Sequence, residues 1–158
     1  MTKTKRTPAG TALSALILDL FRLNSRMLAA GDRLVARLGL TSARWTILGA
    51  IVQADRPQPV AWLARDLGAH RQNVQRIINE LHKEGLVAFE ANPHHRRAQL
   101  VVLTDKGKRA FEAAMDSQAP WINRLSDGLS EKEMQTVQRV ITALRKKLEG
   151  NDLNERAV

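Results

Sequence analysis

The sequence predicts a mainly α-helical fold with one small β-hairpin. Between residues 60 and 103, a short helix, a glycine turn, a longer helix and two strands around a basic turn follow one another. On either side, at residues 11–38 and 105–150, apolar side chains recur every three or four positions, as on a helix face that packs against another helix. The central order of elements is that of a winged helix-turn-helix, in which a hairpin follows the second helix.

The second helix of this run, residues 70–84, has two chemically different faces. Its apolar side chains are spaced for burial on one side: Val74, Ile77, Ile78 and Leu81. At about 100° per residue, the opposite side carries amides and basic groups, flanked by Gln75: Gln72, Arg76, Asn79 and Lys83. Such side chains can bond two atoms of a base edge at once. An ordinary amphipathic helix could carry the same amides, but the basic hairpin that follows favours DNA.

Composition limits the class of protein. A chain of 158 residues fits one domain, alone or with an oligomerisation part. The net charge of +9 favours a polyanionic partner, by default nucleic acid. From Arg65 to Arg97, six basic residues accompany four acidic ones, so the placement of charge matters more than its total. The chain has no cysteine, which excludes a disulfide framework and a thiolate metal site.

Nothing in the sequence predicts a membrane partner. No run reaches the roughly 18 uncharged apolar residues of a membrane helix. The basic N-terminus is not followed by an apolar segment with a cleavage site, so a signal peptide is not expected. The sequence therefore predicts a cytoplasmic protein.

The first elements lead into the central unit. Residues 1–10 are predicted to be a disordered basic tail, and residues 11–38 a long helix. Asn24 falls within the apolar stripe of that helix, where a polar side chain needs a partner, either on a neighbouring helix or on a small molecule in a cavity. A helix at residues 42–54 follows, with Trp45 on its inner face. Residues 41–104 are predicted to be the winged helix-turn-helix domain.

Two local signals define the start and the end of the helix at residues 42–54. Thr41 is predicted to cap the helix at its start. Residues 55–59 are predicted to form a loop, because two prolines there cannot sit inside a helix.

The chain ends in two predicted helices. The first begins at Asp105, and Pro120 is expected to bend or split it. A capping box from Ser130 to Glu133 begins the second. Together with residues 11–38, residues 105–150 are predicted to form a helical dimerisation region, because their apolar seams need helical partners. A homodimer is preferred to packing within one chain. The helix at residues 70–84, which we call the reading helix, would cover only one half-site of a duplex, and a two-fold copy would cover the other.

An ordered set of short motifs spans about residues 40–110. Its members are Leu40-Thr41, Arg44–Leu48, Leu63-Ala64, Leu67-Gly68, Arg71, Val74, Arg76, Leu81–Val87, Asn92-Pro93, Arg96–Ala98 and Leu103–Gly107. No single piece is specific, but the set at these spacings resembles the MarR family of bacterial transcription regulators. The resemblance implies a homodimeric repressor or activator whose interface is built from both chain ends.

The resemblance also implies how such a protein is used. The reading helix would enter the major groove and the hairpin tip the minor groove of an inverted-repeat operator in double-stranded DNA. Small-molecule effectors, often phenolic or other aromatic acids, would bind between the dimerisation part and the DNA-binding part and relieve repression.

Two residues depart from the family pattern. The family usually has Asp where this chain has His95, two positions before the wing arginine, Arg97, which that Asp helps to hold. His95 could contact phosphate instead, or leave the wing looser. The family often caps the reading helix with Ser or Thr, where this chain has His70.

Ten residues are candidates for DNA contact. Gln72, Gln75 and Arg76, with Asn73 as a further candidate, are predicted to reach base edges, and Arg71 a base or a phosphate. Arg97 is predicted to enter the narrow minor groove, where the negative potential attracts arginine. The predicted phosphate contacts, which set salt dependence rather than sequence preference, are Lys83, His94, His95 and Arg96.

Other classes of function have weaker support. The sequence contains no P-loop, nucleotide-binding glycine pattern or HExxH motif, so no enzyme, catalytic residue or cofactor is predicted. A metal-responsive regulator could use His94 and His95, but adjacent residues rarely bind one zinc ion well without cysteine, and no metal site is predicted. A sequence-neutral architectural protein would need larger apolar wedges at the hairpin.

A ligand pocket is a further possibility. Asn24, Trp45 and Met115 could line a pocket between the first, second and fifth helices. A tryptophan such as Trp45 is more often a plain core residue than a ligand contact.

Overall fold

The computed structural model describes residues 5–155, and the side chains of residues 5–150. The described helices are α1 (Pro8–Val35), α2 (Ser42–Gln53), α3 (Val60–Asp66), α4 (Arg71–Lys83), α5 (Asp105–Leu125) and α6 (Glu131–Glu155). The described strands are β1 (Gln58–Pro59), β2 (Val87–Glu90) and β3 (Leu100–Leu103). This order confirms the predicted fold class. None of the described helices is long and apolar enough to cross a membrane.

The first helix begins earlier than predicted. The Thr7 hydroxyl accepts a hydrogen bond from the Gly10 N–H at 3.0 Å, and Pro8 follows at the first helical position. A threonine cap followed by proline is a favourable start, so residues 8–10 are helical and the predicted disordered tail is wrong there. Residues 1–4 of that tail lie outside the described residues.

The chain divides into two compact units, one up to Gln118 and the other from Ala119 onward. The first contains α1 and the winged helix-turn-helix. The boundary falls within α5, two residues before Pro120, but the helix runs through that proline without interruption. The expectation that Pro120 would split the helix is therefore wrong. The grouping of residues 11–38 with 105–150 as a dimerisation region stays a prediction.

The junction of α1 and α2 depends on one small residue. Gly31 is buried against Ser42, whose hydroxyl oxygen would collide with a Cβ at position 31. The Ser42 hydroxyl donates to the Leu28 carbonyl at 2.7 Å, and the Ser42 N–H donates to an Asp32 carboxylate oxygen at 2.6 Å. These bonds hold the two helices at close range, and Thr41 caps α2 as predicted.

The sheet contains a strand that the sequence did not predict. Gln58 and Pro59 pair antiparallel with Val101 and Leu100, which gives the strand order β1-β3-β2. The prediction of a plain loop at residues 55–59 is therefore wrong at these two positions. Proline is tolerated there because β1 is an edge strand, where a missing N–H need not cost a sheet bond.

The apolar side of α4 forms the centre of the core. Val74, Ile77, Ile78 and Leu81 are buried, as predicted. The helix ends at Lys83, and Gly85 follows the Glu84 cap with a positive φ of 74° that suits glycine. Side chains that follow β3 donate hydrogen bonds to the carbonyls just after α4. Lys106 Nζ donates to the Glu84 carbonyl at 2.7 Å, and the Thr104 hydroxyl donates to the Gly85 carbonyl at 2.7 Å.

Candidate nucleic-acid interface

The polar side of α4 faces solvent. Among the predicted contacts, Gln75 is half-buried and five are exposed: Arg71, Gln72, Asn73, Arg76 and Lys83. The separation arises because residues three and four apart share a helix side, so burying the apolar stripe turns the amides and guanidinium groups outward. This arrangement leaves a row of hydrogen-bonding groups open to a partner along the helix.

These outward side chains already bond to one another. Gln75 Nε2 donates to Asn79 Oδ1 at 2.9 Å, and Arg76 Nη2 donates to Asn73 Oδ1 at 3.3 Å. Arg76 Nη1 also pairs with Glu80 Oε1 at 2.6 Å. The bonds give the face a defined geometry in the absence of a partner.

Glu80 links this face to α2. Its second oxygen lies 3.3 Å from Nη2 of Arg44, and Nη1 of Arg44 pairs with Glu84 at 2.9 Å. The Arg44 side chain is only 19% exposed. One carboxylate thus joins a guanidinium on α2 to Arg76. Sequence reasoning missed this link because the two arginines are far apart in the chain.

The hydrogen bond from Arg44 holds the pKa of the Glu80 carboxyl below its usual value of 4.5, and Arg76 adds to that shift. The Ser130 hydroxyl and N–H likewise lower the pKa of Glu133 from 4.5, as the predicted capping box requires.

Acid should therefore weaken the fold through these two groups. A carboxyl with a lowered folded-state pKa stabilises the protein above its unfolded-state pKa and loses that contribution as pH falls through the folded value. We expect the free energy of unfolding to fall below pH 4.5 less steeply in Glu80→Gln than in wild type. Urea denaturation from acid to neutral pH measures this slope. Glu112→Gln is the control, and an unchanged slope in Glu80→Gln would contradict the assignment.

The hairpin between β2 and β3 presents a basic tip. His94, His95, Arg96 and Arg97 are all exposed there. Asn92 organises the tip, because its side chain donates to the Ala98 carbonyl at 2.9 Å and accepts from the His94 N–H at 3.0 Å. Side-chain bonds of this kind fix a turn. The cationic groups thus extend from an ordered base.

The structure shows what the two departures from the family pattern do. His70 precedes α4 but makes no side-chain capping bond. Within residues 5–150, Arg97 forms no ion pair with an Asp or Glu, so no other carboxylate takes the place of the Asp that the family usually has at position 95. Both arginines of the tip present their guanidinium groups to solvent.

A cavity of about 600 Å³ lies between α2, α3 and α5, and we call it the helix cleft. Trp45 and Met115 line it, together with Phe111, Gln118 and Asp66. The structure does not bring Asn24 to this cavity: Asn24 is exposed on α1, and α3 rather than α1 supplies the third wall. The prediction of a pocket between the first, second and fifth helices is wrong in that respect.

Sequence reasoning also missed a tryptophan near the wing. Trp62 on α3 is 43% exposed, and the guanidinium carbons of Arg56 and Arg65 lie 5.9 and 5.2 Å from its ring centroid. The spacing of Val60, Leu63 and Ala64, which are buried, is the signal that could have placed Trp62 outward.

Comparison with known proteins identifies relatives of this chain. A model of the MarR family matches residues 38–98. The uncharacterised protein Rv2011c of Mycobacterium tuberculosis is 36% identical over 137 residues, which cover 84% of this chain and 94% of that protein. The transcriptional activatory protein BadR of Rhodopseudomonas palustris is 32% identical over 102 residues, 61% of this chain and 57% of BadR.

Solved structures share the fold. The transcriptional regulator PA3341 is 28% identical, with a TM-score of 0.74 over 85% of this chain and 98% of that one. The M. tuberculosis regulator MosR, solved with DNA, is 22% identical, with a TM-score of 0.71 over 85% of this chain and 96% of that one. CouR of Rhodococcus jostii, solved with p-coumaroyl-CoA, is 19% identical, with a TM-score of 0.71 over 79% of this chain and 87% of that one. At their lower identity, the last two show a likeness of fold.

Proposed function

This chain belongs to the MarR family of transcriptional regulators, and we propose that it is a homodimer that binds an inverted-repeat operator in double-stranded DNA. It is accordingly a DNA-binding regulator rather than an enzyme. The observation that carries the proposal is the division of α4 into a buried apolar side and an open side of amides and guanidinium groups. A helix with that open side has the width and the donors that the major groove accepts.

The proposed contacts follow from exposure and chemistry. Gln72, Gln75 and Arg76 read base edges, with Asn73 supporting Arg76 through the bond between them. Arg97 enters the minor groove beside the half-site. The remaining contacts are to phosphates, with Arg71 able to reach either a phosphate or a base: Arg71, Lys83, His94, His95 and Arg96.

Arg76→Ala is expected to weaken operator binding by about 1–3 kcal/mol, because a bidentate contact to a base edge is lost. Binding to random duplex DNA should fall much less. Fluorescence anisotropy with both duplexes at one salt concentration measures the difference.

Lys83→Ala is the matched control for Arg76→Ala. It should weaken binding to both duplexes alike and lower the salt slope by about one counterion. If Arg76→Ala behaved in the same way as Lys83→Ala, Arg76 would be a phosphate contact only.

Two apolar surfaces support the homodimer. On α1, Leu18, Phe21 and Leu23 are all more than half exposed. In the unit from Ala119 onward, apolar side chains are also exposed along α6: Met134, Val137, Val140, Ile141 and Leu148. Exposed apolar surface of this extent is typical of an interaction site. We assign residues 11–38 and 105–150 to the dimer interface and residues 41–104 to DNA binding.

The proposed effect on transcription is repression. A dimer bound across a promoter blocks polymerase without further contacts, whereas activation needs a second surface that contacts polymerase. BadR is described as an activatory protein, so a promoter fused to a reporter gene, with and without the regulator, tests the sign. Higher reporter output with the regulator would contradict repression.

A small ligand bound in the helix cleft is proposed to relieve repression. The volume of the helix cleft, about 600 Å³, lies within the usual range of 300–1,000 Å³ for ligand sites. The cleft touches both α2, which carries Arg44, and α3 of the DNA-binding unit. A ligand that moved α2 would therefore disturb the Arg44–Glu80–Arg76 link.

Selection of bound duplexes from a random pool tests the proposal as a whole. We expect an inverted repeat whose half-sites lie about one helical turn apart, roughly 10 base pairs. A single half-site would contradict the symmetric dimer. Recovery of random sequence would contradict specific recognition.

A further inference from the structure

Glu80 lies between two arginines that differ in freedom. Arg76 is on the same helix, and its side chain is 61% exposed. Arg44 is on α2, and its side chain is 19% exposed. A guanidinium as open as that of Arg76 can turn toward a DNA partner, whereas that of Arg44 is largely enclosed by the protein. The two arginines can therefore have different roles toward the same carboxylate.

The Arg44 guanidinium is held by three groups. Its Nη1 lies 2.9 Å from a carboxylate oxygen of Glu84 and 3.4 Å from the Gly39 carbonyl oxygen, and its Nη2 lies 3.3 Å from Glu80 Oε2. One planar guanidinium can serve these partners together, because it has several N–H donors in fixed directions. None of these bonds involves Arg76, so Arg44 stays beside Glu80 when Arg76 moves.

A base contact by Arg76 changes the charge around Glu80. Glu80 is one helical turn from Arg76 and about 40° around α4, and its side chain is 39% exposed. Once Arg76 bonds a base edge, the Glu80 carboxylate faces the DNA phosphates without that partner. Like charges repel, so the base contact is weakened unless a second cation neutralises the carboxylate.

Arg44 is the cation in place to do this. The bonds from both arginines lower the pKa of the Glu80 carboxyl, and the bond from Arg44 contributes most. The larger contribution belongs to the more enclosed guanidinium, whose charge is less screened by solvent. Glu80 therefore keeps a partner on α2 when its partner on α4 turns toward a base.

From this arrangement we propose that Arg44 is a positioning residue for operator recognition, which keeps the Glu80 carboxylate neutralised while Arg76 bonds its base. Arg44 acts through Glu80 and does not touch DNA. The inference rests on the proposed base contact of Arg76. On random duplex, Arg76 has no matching base and remains available to Glu80, so the loss of Arg44 should matter at the operator alone.

Arg44→Met tests this role, because methionine keeps an apolar stem on α2 but removes the charge. We expect affinity for the operator recovered from selected duplexes to fall about three- to tenfold, the effect of a partly exposed charged bond. Affinity for random duplex should change less than about twofold. Fluorescence anisotropy at one salt concentration measures both. Arg44→Lys, which keeps the charge, should restore part of the operator affinity.

Two second substitutions show which carboxylate is involved. In a Glu80→Gln background, Arg44→Met should no longer weaken operator binding, because no charge is left to neutralise. In a Glu84→Gln background, the loss should persist. Glu84→Gln is the matched control, because it removes the same charge from the same guanidinium one turn further along the chain. A loss of equal size in both backgrounds would overturn the role of Glu80.

Random duplex separates this inference from the proposed function. An equal loss on both duplexes would mean that Arg44 supplies only general charge or stability, and no loss on either would mean that Glu80 needs no second partner. Both results overturn the inference and leave operator recognition in place. A wild-type protein that bound both duplexes alike would instead contradict the proposed function.

Thermal melting of each variant shows whether the fold is kept. If Arg44→Met is unfolded at the assay temperature, Arg44→Lys carries the same comparison. Its shortfall in operator affinity should vanish in the Glu80→Gln background and persist in the Glu84→Gln background. A shortfall that persisted in both would overturn the inference.

Discussion

Phe21→Glu is expected to convert the proposed dimer into monomers and to abolish tight operator binding. Phe21 is 69% exposed in the single subunit, so the substitution leaves the folded subunit almost unaffected. At about 100° per residue, Ile17 and Leu28 lie within roughly 40° of it on α1. In a two-fold interface each substitution occurs twice, and an unpaired buried charge costs several kcal/mol. Dimer affinity should fall at least about a thousandfold.

Sedimentation velocity across a range of concentrations measures the dimer. Ala15→Glu is the matched control, because it adds the same charge to an exposed position about 120° around the same helix. The control should remain dimeric. If the Phe21→Glu protein remained dimeric, α1 would not be part of the interface, and α6 would be the next surface to test.

Gly107→Ala is expected to destabilise the protein by about 2 kcal/mol or more, the range of overpacked cores. Gly107 is buried in the first turns of α5, and an added Cβ would collide with the carbonyl oxygen of Leu86. That carbonyl cannot move freely, because it accepts a hydrogen bond from the Thr104 N–H at 3.1 Å. The clash must exceed the gain of about 1 kcal/mol that alanine brings to a helix.

The control for Gly107→Ala is Gly150→Ala in α6. An added Cβ at Gly150 meets nothing within 4 Å, so only the helix-propensity gain remains and stability should be unchanged or higher. Urea denaturation of both variants measures the free energies of unfolding. Equal stabilities for the two variants would show that the Leu86 carbonyl yields at little cost.

The reading helix could be predicted from sequence because its signal is local. The spacing of Val74, Ile77, Ile78 and Leu81 fixes the buried side, and the same periodicity fixes which polar groups face outward. The wing could be predicted because its two strands flank a turn rich in polar residues and proline. The structure confirms both elements.

Features that depend on distant parts of the chain could not be predicted. β1 has two residues and one is proline, so its only strand signal is its pairing with β3. The link between Arg44 and Glu80 joins residues 36 positions apart. Asn24 lies in an apolar stripe that predicted burial, but much of α1 is exposed in the single subunit, so periodicity alone could not place that side chain.

The bond between Arg76 and Glu80 also affects how the protein would search a genome. In the proposed base contact, Arg76 must leave the carboxylate before it can bond a base. On unmatched DNA it can keep its bond to Glu80, so a non-specific complex gains no contact from this side chain. A complex that slides along the duplex is then held mainly by phosphate contacts.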